Sequence, residues 1–174
     1  AGPHRQRIAN DLKEIDLWVK WLKNKGAGPI TVLGHSRGGN QIARYVATSP
    51  DPLVKRAVLV APGVWEDGKE ARNYKNRYKK DLAPLLAKAE ALIKDGHGNR
   101  LINNVDFMYC PNTRVAAFTF ADYYKPNPAR NTPSVVDRSK VPVLVIAASD
   151  DQVNPNIAIK MTSHTSENVR LVVI

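Results

Sequence analysis

Gly34-His35-Ser36-Arg37-Gly38 sets a hydroxyl between flanking glycines, directly after the apolar run Pro29-Ile30-Thr31-Val32-Leu33 and directly before a helical pattern. A serine that leaves a strand and enters a helix within one residue must take a strained backbone conformation, which lifts its Oγ clear of the sheet. Such a hydroxyl can act as a nucleophile. Gly34 and Gly38 are then expected because a Cβ at either place would collide with neighbouring backbone. The N–H of Arg37 falls at the positive end of the new helix, where it can donate to an oxyanion. A G-x-S-x-G pentapeptide alone is weak, since a chain of this length contains one by chance about 5% of the time. The strand before it and the helix after it give it weight; the plainer alternative is a glycine-rich turn that happens to contain serine.

The elements that must hold this turn are legible in the apolar spacing. Ile8, Leu12, Ile15, Val19 and Leu22 recur at four- and three-residue steps on one face of a helix, and Gly26 offers its stop. Trp18 and Trp21 on that helix are expected to be packing residues. Pro29 to Leu33, apolar on both faces, suits a central parallel strand. A second helix buries Ile42, Ala43, Val46 and Ala47 and ends by Pro50. Strands follow at Ala57 to Ala61, Val141 to Ala148 and Val169 to Ile174, with a helical turn near Asn156 to Met161. Strands alternating with helices predict an α/β class with a parallel sheet. Between them the pattern changes. Polar, basic helical stretches run from Glu70 to Lys94, then Gly96-His97-Gly98, then an aromatic segment from Phe107 to Tyr124, then prolines to Pro133. The expected organisation is a core of residues 1–63 and 140–174, with residues 64–139 inserted as a helical lid.

Val32-Leu33-Gly34-His35-Ser36-Arg37-Gly38-Gly39 resembles the nucleophile elbow of the α/β-hydrolase superfamily. Val141 to Ala148 with Ser149-Asp150-Asp151-Gln152-Val153-Asn154-Pro155 is similar to that superfamily's acid strand and the turn after it. The resemblance follows nearly the whole chain in order and is least specific over the lid; at position 148 this chain carries Ala where the superfamily usually has Gly. It implies an α/β-hydrolase-type sheet, partial here, with a helical lid insertion. Ser36 is the implied nucleophile and Asp151, with Asp150 beside it, the acid that orients a histidine and stabilises its imidazolium. Read by itself, Asp150-Asp151 is also consistent with a capping pair after a strand.

The implied histidine follows the last strand. His35 adjoins the nucleophile but should point away from its Oγ, as a packing or orienting residue. His164 precedes the last strand, and a strand of ordinary length would keep it about 17–20 Å from the C-terminal strand ends. His97 would have to reach down from the lid, and His4 is expected at the surface. The catalytic histidine is therefore expected beyond Ile174. The superfamily's first strands and its second oxyanion donor would likewise precede Ala1, leaving Pro29 to Leu33 as an apolar edge. The chain is expected to be a piece of a larger protein.

Bulk properties narrow the rest. With 174 residues, 43% hydrophobic and 24% charged, the chain can bury a core of its own. No run of 18 apolar residues occurs, so no membrane-spanning helix is expected. The single Cys110 excludes an intrachain disulfide and is expected as a small core hydrophobe. The net charge of +10 concentrates partly in Lys69, Arg72, Lys75, Arg77, Lys79 and Lys80, with Tyr74 and Tyr78 interleaved. That arrangement superficially suits base stacking, but no nucleic-acid motif accompanies it and no nucleic-acid partner is expected. Neither a metal-ligand cluster nor a phosphate-cradling loop is evident, so no cofactor or metal is expected. The compartment stays open, the cytoplasm slightly favoured and export kept in view because residues can precede Ala1. The expected function is a serine hydrolase acting on a small carboxylic ester or related acyl substrate through an acyl-enzyme. Phe107, Tyr109, Phe118, Phe120, Tyr123 and Tyr124 either line its acyl pocket or pack the lid. The alternative is a non-catalytic binding or scaffold protein on the same fold.

Overall fold

The computed structural model describes residues 7–174; His4, expected at the surface, lies outside the described residues. In chain order the elements are α1 (Ile8–Asn24), β1 (Ile30–His35), α2 (Arg37–Thr48), β2 (Val54–Val60), α3 (Lys69–Tyr78), α4 (Ala83–Lys94), β3 (Leu101–Phe107), β4 (Cys110–Ala116), α5 (Ala117–Tyr124), α6 (Thr132–Val136), β5 (Val143–Ala147), α7 (Ile157–Thr162) and β6 (Val169–Val173). Leu12–Glu66 and Asn127–Ile174 form one compact unit; Asp67–Pro126, with residues 7–11, forms the other.

The first unit holds a four-stranded parallel sheet in the order β1-β2-β5-β6. Its core joins Ala43 and Val46 of α2, Ala57 and Leu59 of β2, Val143 and Val145 of β5, and Ile157 and Met161 of α7. Leu12, Ile15 and Val19 of α1 pack on this core, as their spacing predicts. Gly26 ends α1 at φ +79°, with Gly26 N–H donating to Lys23 O and Ala27 N–H to Leu22 O, the paired bonds of a Schellman stop.

Among the described residues β2 is the only partner of β1, the edge expected for Pro29 to Leu33 without a strand before it, and Leu33 is 64% exposed. Trp18 and Trp21 are exposed instead of packed into the core, meeting each other edge to face with ring centroids 5.8 Å apart. Their positions, each one residue before a member of the Leu12–Ile15–Val19–Leu22 stripe, turn them away from the buried face.

The other unit buries its own core. Tyr74, Phe107, Phe120 and Tyr124 pack there with Ile102 and Val115; Tyr74 meets Tyr124 edge to face at 5.3 Å. Most of the aromatic segment thus packs within its own unit, although Tyr109 is exposed under the Arg77 guanidinium at 4.1 Å. β3 and β4 form an antiparallel hairpin that the expected helical lid over residues 64–139 did not include. Cys110 begins β4 at the hairpin turn and is exposed, correcting its expected place in the core. The basic run is largely occupied locally: Lys75 pairs with Asp81, Lys80 with Asp106, and Arg77 donates to the Met108 carbonyl. Tyr74 is buried, which lifts its phenol to about 12.

Burial pushes the Asp106 carboxyl up, but Lys80 Nζ at 2.7 Å and the Asn112 N–H at 2.9 Å outweigh it and hold it below the ordinary carboxylate value. A depressed carboxyl contributes stability that is complete above its unfolded value and lost as pH falls through the folded one. The calorimetric Tm is therefore expected to fall as pH drops through and below the ordinary carboxylate range, and Asp106→Asn should flatten that dependence. An unchanged pH profile in the variant would remove Asp106 from this role.

Candidate active site

The register carries the strand tips to one edge of the sheet. His35 pairs with Val60, Val60 with Ile146 and Ala147 with Val173, so Ser36, Ala61, Ala148 and Ile174 each follow the last paired residue of a strand. Ser36 stands between β1 and α2 at φ 52° and ψ −119°. That is the conformation of the first central residue of a type II′ turn, a place dominated by glycine. Asn104, Asn112 and Asn156 also have positive φ, which asparagine tolerates; Ser36 does not belong to that class and bears real strain. Ser36 is half-buried and Arg37 opens the helix, its amide in the first turn.

Close approach explains one of the two predicted glycines. A Cβ on Gly34 would lie 2.3 Å from the Gly38 carbonyl oxygen and 2.7 Å from the Gly39 nitrogen. At Gly38 the nearest atom is the Gln41 side chain at 4.0 Å, so the expected collision there is corrected. The second tight position is Gly39, whose Cβ would meet the Pro62 ring at 2.9 Å. Gly38 contributes its backbone to the crowding at Gly34 while its own missing side chain faces open space.

Asp151 follows β5, and β2 separates β5 from β1. Two strand spacings are about 10 Å, a gap that a group between the serine and the carboxylate would have to bridge. Asp151 Oδ1 accepts the Val153 and Asn154 N–H groups, both at 2.8 Å, and so caps the turn that follows β5. Asp150 is exposed and accepts from Gln152 Nε2. The Asn154 side chain, itself buried, accepts from Val64 N–H at 3.4 Å and ties this turn to the loop after β2.

His164 lies before β6 and its Nδ1 is 2.7 Å from Asp137 Oδ2, among residues that precede strands β5 and β6. His97 belongs to the other unit, where its N–H closes the turn after α4 on Leu92 O. His35 is exposed, which corrects the packing half of its expected packing or orienting role. Among the described residues no group of three or more His, Cys, Asp or Glu could hold a metal, and no helix is long and apolar enough to cross a membrane.

Comparison with known proteins supplies the context for this geometry. A monoacylglycerol lipase of Paleococcus ferrophilus has a similar structure, with a TM-score of 0.61 and 16% identity over 97% of this chain and 65% of that one. The α/β hydrolase GrgF from Penicillium gives 0.66 and 17%, over 98% and 64%. Est1E from Butyrivibrio proteoclasticus, solved with ferulic acid, gives 0.60 and 15%, over 97% and 59%. The chain thus spans less than two thirds of the length of these proteins, and at such identities they establish the α/β-hydrolase fold alone. No curated protein matches the chain. The family described as serine aminopeptidase, S33, matches residues 3–173, and the chain belongs to that family.

Proposed function

We propose that the protein is a serine hydrolase that cleaves a carboxylic ester or related acyl compound through an acyl-enzyme. The observation that carries this is the strained turn at Ser36, φ 52° and ψ −119°, between the end of β1 and the start of α2. Strain of this kind persists where the surrounding structure over-determines it, and it clusters where a group must be presented. Ser36 Oγ attacks the substrate carbonyl while a histidine takes its proton. The Arg37 amide, at the positive end of α2, donates to the oxyanion of the tetrahedral intermediate. That intermediate collapses, the alcohol leaves with the proton returned by the histidine, and water then releases the acid by the same steps in turn. Asp151 orients the imidazole and stabilises its charged form. His164 is engaged with Asp137 and precedes β6, so it does not serve in that role. The family's description names a peptidase, so a comparison of ester with amide substrate decides between the two acyl classes.

A fluorophosphonate probe tests the reading directly. The intact protein is expected to gain one adduct, located on Ser36 by peptide mass spectrometry, and to hydrolyse a p-nitrophenyl ester faster than an aminoacyl anilide. Asp151→Asn should keep the fold and lower kcat by roughly 10³- to 10⁴-fold. A folded protein that stays unlabelled would leave the non-catalytic alternative standing.

A further inference from the structure

Thr132, at the start of α6, is completely buried, and its hydroxyl is committed to distant backbone and side chain. Oγ1 donates to the Gly63 carbonyl at 2.7 Å and accepts from Asn40 Nδ2 at 3.2 Å. Asn40, buried in the first turns of α2, donates its second amide hydrogen to the Ala129 carbonyl at 3.2 Å. The Gly63 N–H donates to the Ser36 carbonyl at 2.9 Å, and the Asn40 backbone N–H reaches that same oxygen at 3.3 Å. The bonds close a ring: Ser36 to Gly63, Gly63 to Thr132, Thr132 to Asn40, and Asn40 back to Ser36. It joins residues as far apart as 92 positions in sequence and includes two buried polar side chains that the proposed chemistry does not itself use.

The ring acts on one peptide plane. In a trans peptide the carbonyl of Ser36 and the N–H of Arg37 point to opposite sides of the same rigid plane. Two amides hold that carbonyl on one side, so the Arg37 N–H is aimed to the other. Buried donors and acceptors that would be costly to leave unmatched hold the turn against relaxing out of its unfavourable φ. We propose that Thr132 and Asn40 are positioning residues that fix the Ser36–Arg37 peptide and thereby aim the oxyanion donor. This rests on the serine-hydrolase reading above. Neither residue touches the substrate; both act through the backbone of residues 63 and 36.

The test uses the intact protein, an ester substrate, and phosphonate titration to count competent sites. Thr132→Val keeps the shape and removes the hydroxyl; kcat per titrated site is expected to fall about 10- to 100-fold with KM nearly unchanged. The affinity of a trifluoromethyl ketone, which mimics the tetrahedral state, should fall by the same factor as kcat/KM. Thr132→Ser, which restores the hydroxyl, should return kcat to within about threefold of the parent. Asn40→Ala leaves the Thr132–Gly63 bond in place and should show a smaller loss of the same kind; it decides the matter if Thr132→Val does not fold. Folded variants with parental kcat per site and parental ketone affinity would overturn the proposal while leaving the hydrolase reading intact. A parent protein that takes no phosphonate at Ser36 would overturn both.

Discussion

Replacing Ser36 by glycine is expected to abolish hydrolysis while making the protein harder to unfold. Serine at φ 52° and ψ −119° costs of the order of 1–3 kcal/mol, and glycine occupies this region without that penalty. Glycine's greater freedom in the unfolded chain takes back about 0.5–1 kcal/mol, leaving a net gain near 1 kcal/mol. For a chain of this size that corresponds to a rise in Tm of about 2–4 °C. Loss of the nucleophile should lower kcat on the order of 10⁶-fold. Ser36→Ala should lose as much activity and gain no stability, because alanine keeps a Cβ in the same conformation. Calorimetry beside an ester assay reads both effects. A glycine variant less stable than the alanine variant would contradict the strain; one that still turns over would contradict the nucleophile.

The second large effect belongs to Gly34. A methyl group there would sit 2.3 Å from the Gly38 carbonyl oxygen and 2.5 Å from its carbon, and both belong to backbone that cannot swing aside. β1 and the first turn of α2 would have to part, opening contacts around Ala43 and Val46. Gly34→Ala is expected to cost more than about 3 kcal/mol, measured as a fall in the urea midpoint of unfolding. Gly38→Ala is the matched control: its Cβ meets nothing closer than 4.0 Å, and alanine in place of glycine in a helix is worth up to about 1 kcal/mol. Its urea midpoint should stay or rise. Equal losses at the two positions would mean that the crowding is misassigned.

The contrast between these glycines marks the boundary between local and long-range information. Periodicity placed α1, α2, β1, β2, β5, α7 and β6 because each records which side of its own backbone is apolar. The turn at Ser36 was legible for a similar reason: a strand pattern and a helix pattern meeting within one residue leave few conformations for the residue between them. The hairpin β3–β4 was not legible. Asn103, Asn104, Pro111 and Asn112 interrupt any alternation, and the pairing runs through register shifts near Asn104, itself at φ 55°. Trp18 and Trp21 were misjudged because size and apolarity say what a residue favours, whereas helical phase says where it lies. The same holds for Cys110, small and apolar but placed at a hairpin turn.

By itself, then, the sequence determined the α/β class, the order of most elements and a serine on a strand-to-helix turn, all of which follow from neighbours along the chain. Only the tertiary structure decided that Gly39 rather than Gly38 is the second crowded glycine, and that Asn40 and Thr132, 92 residues apart, grip the Ser36 peptide. Which atoms meet across the sheet depends on register and packing, and a single chain's residue types do not encode those pairings one position at a time.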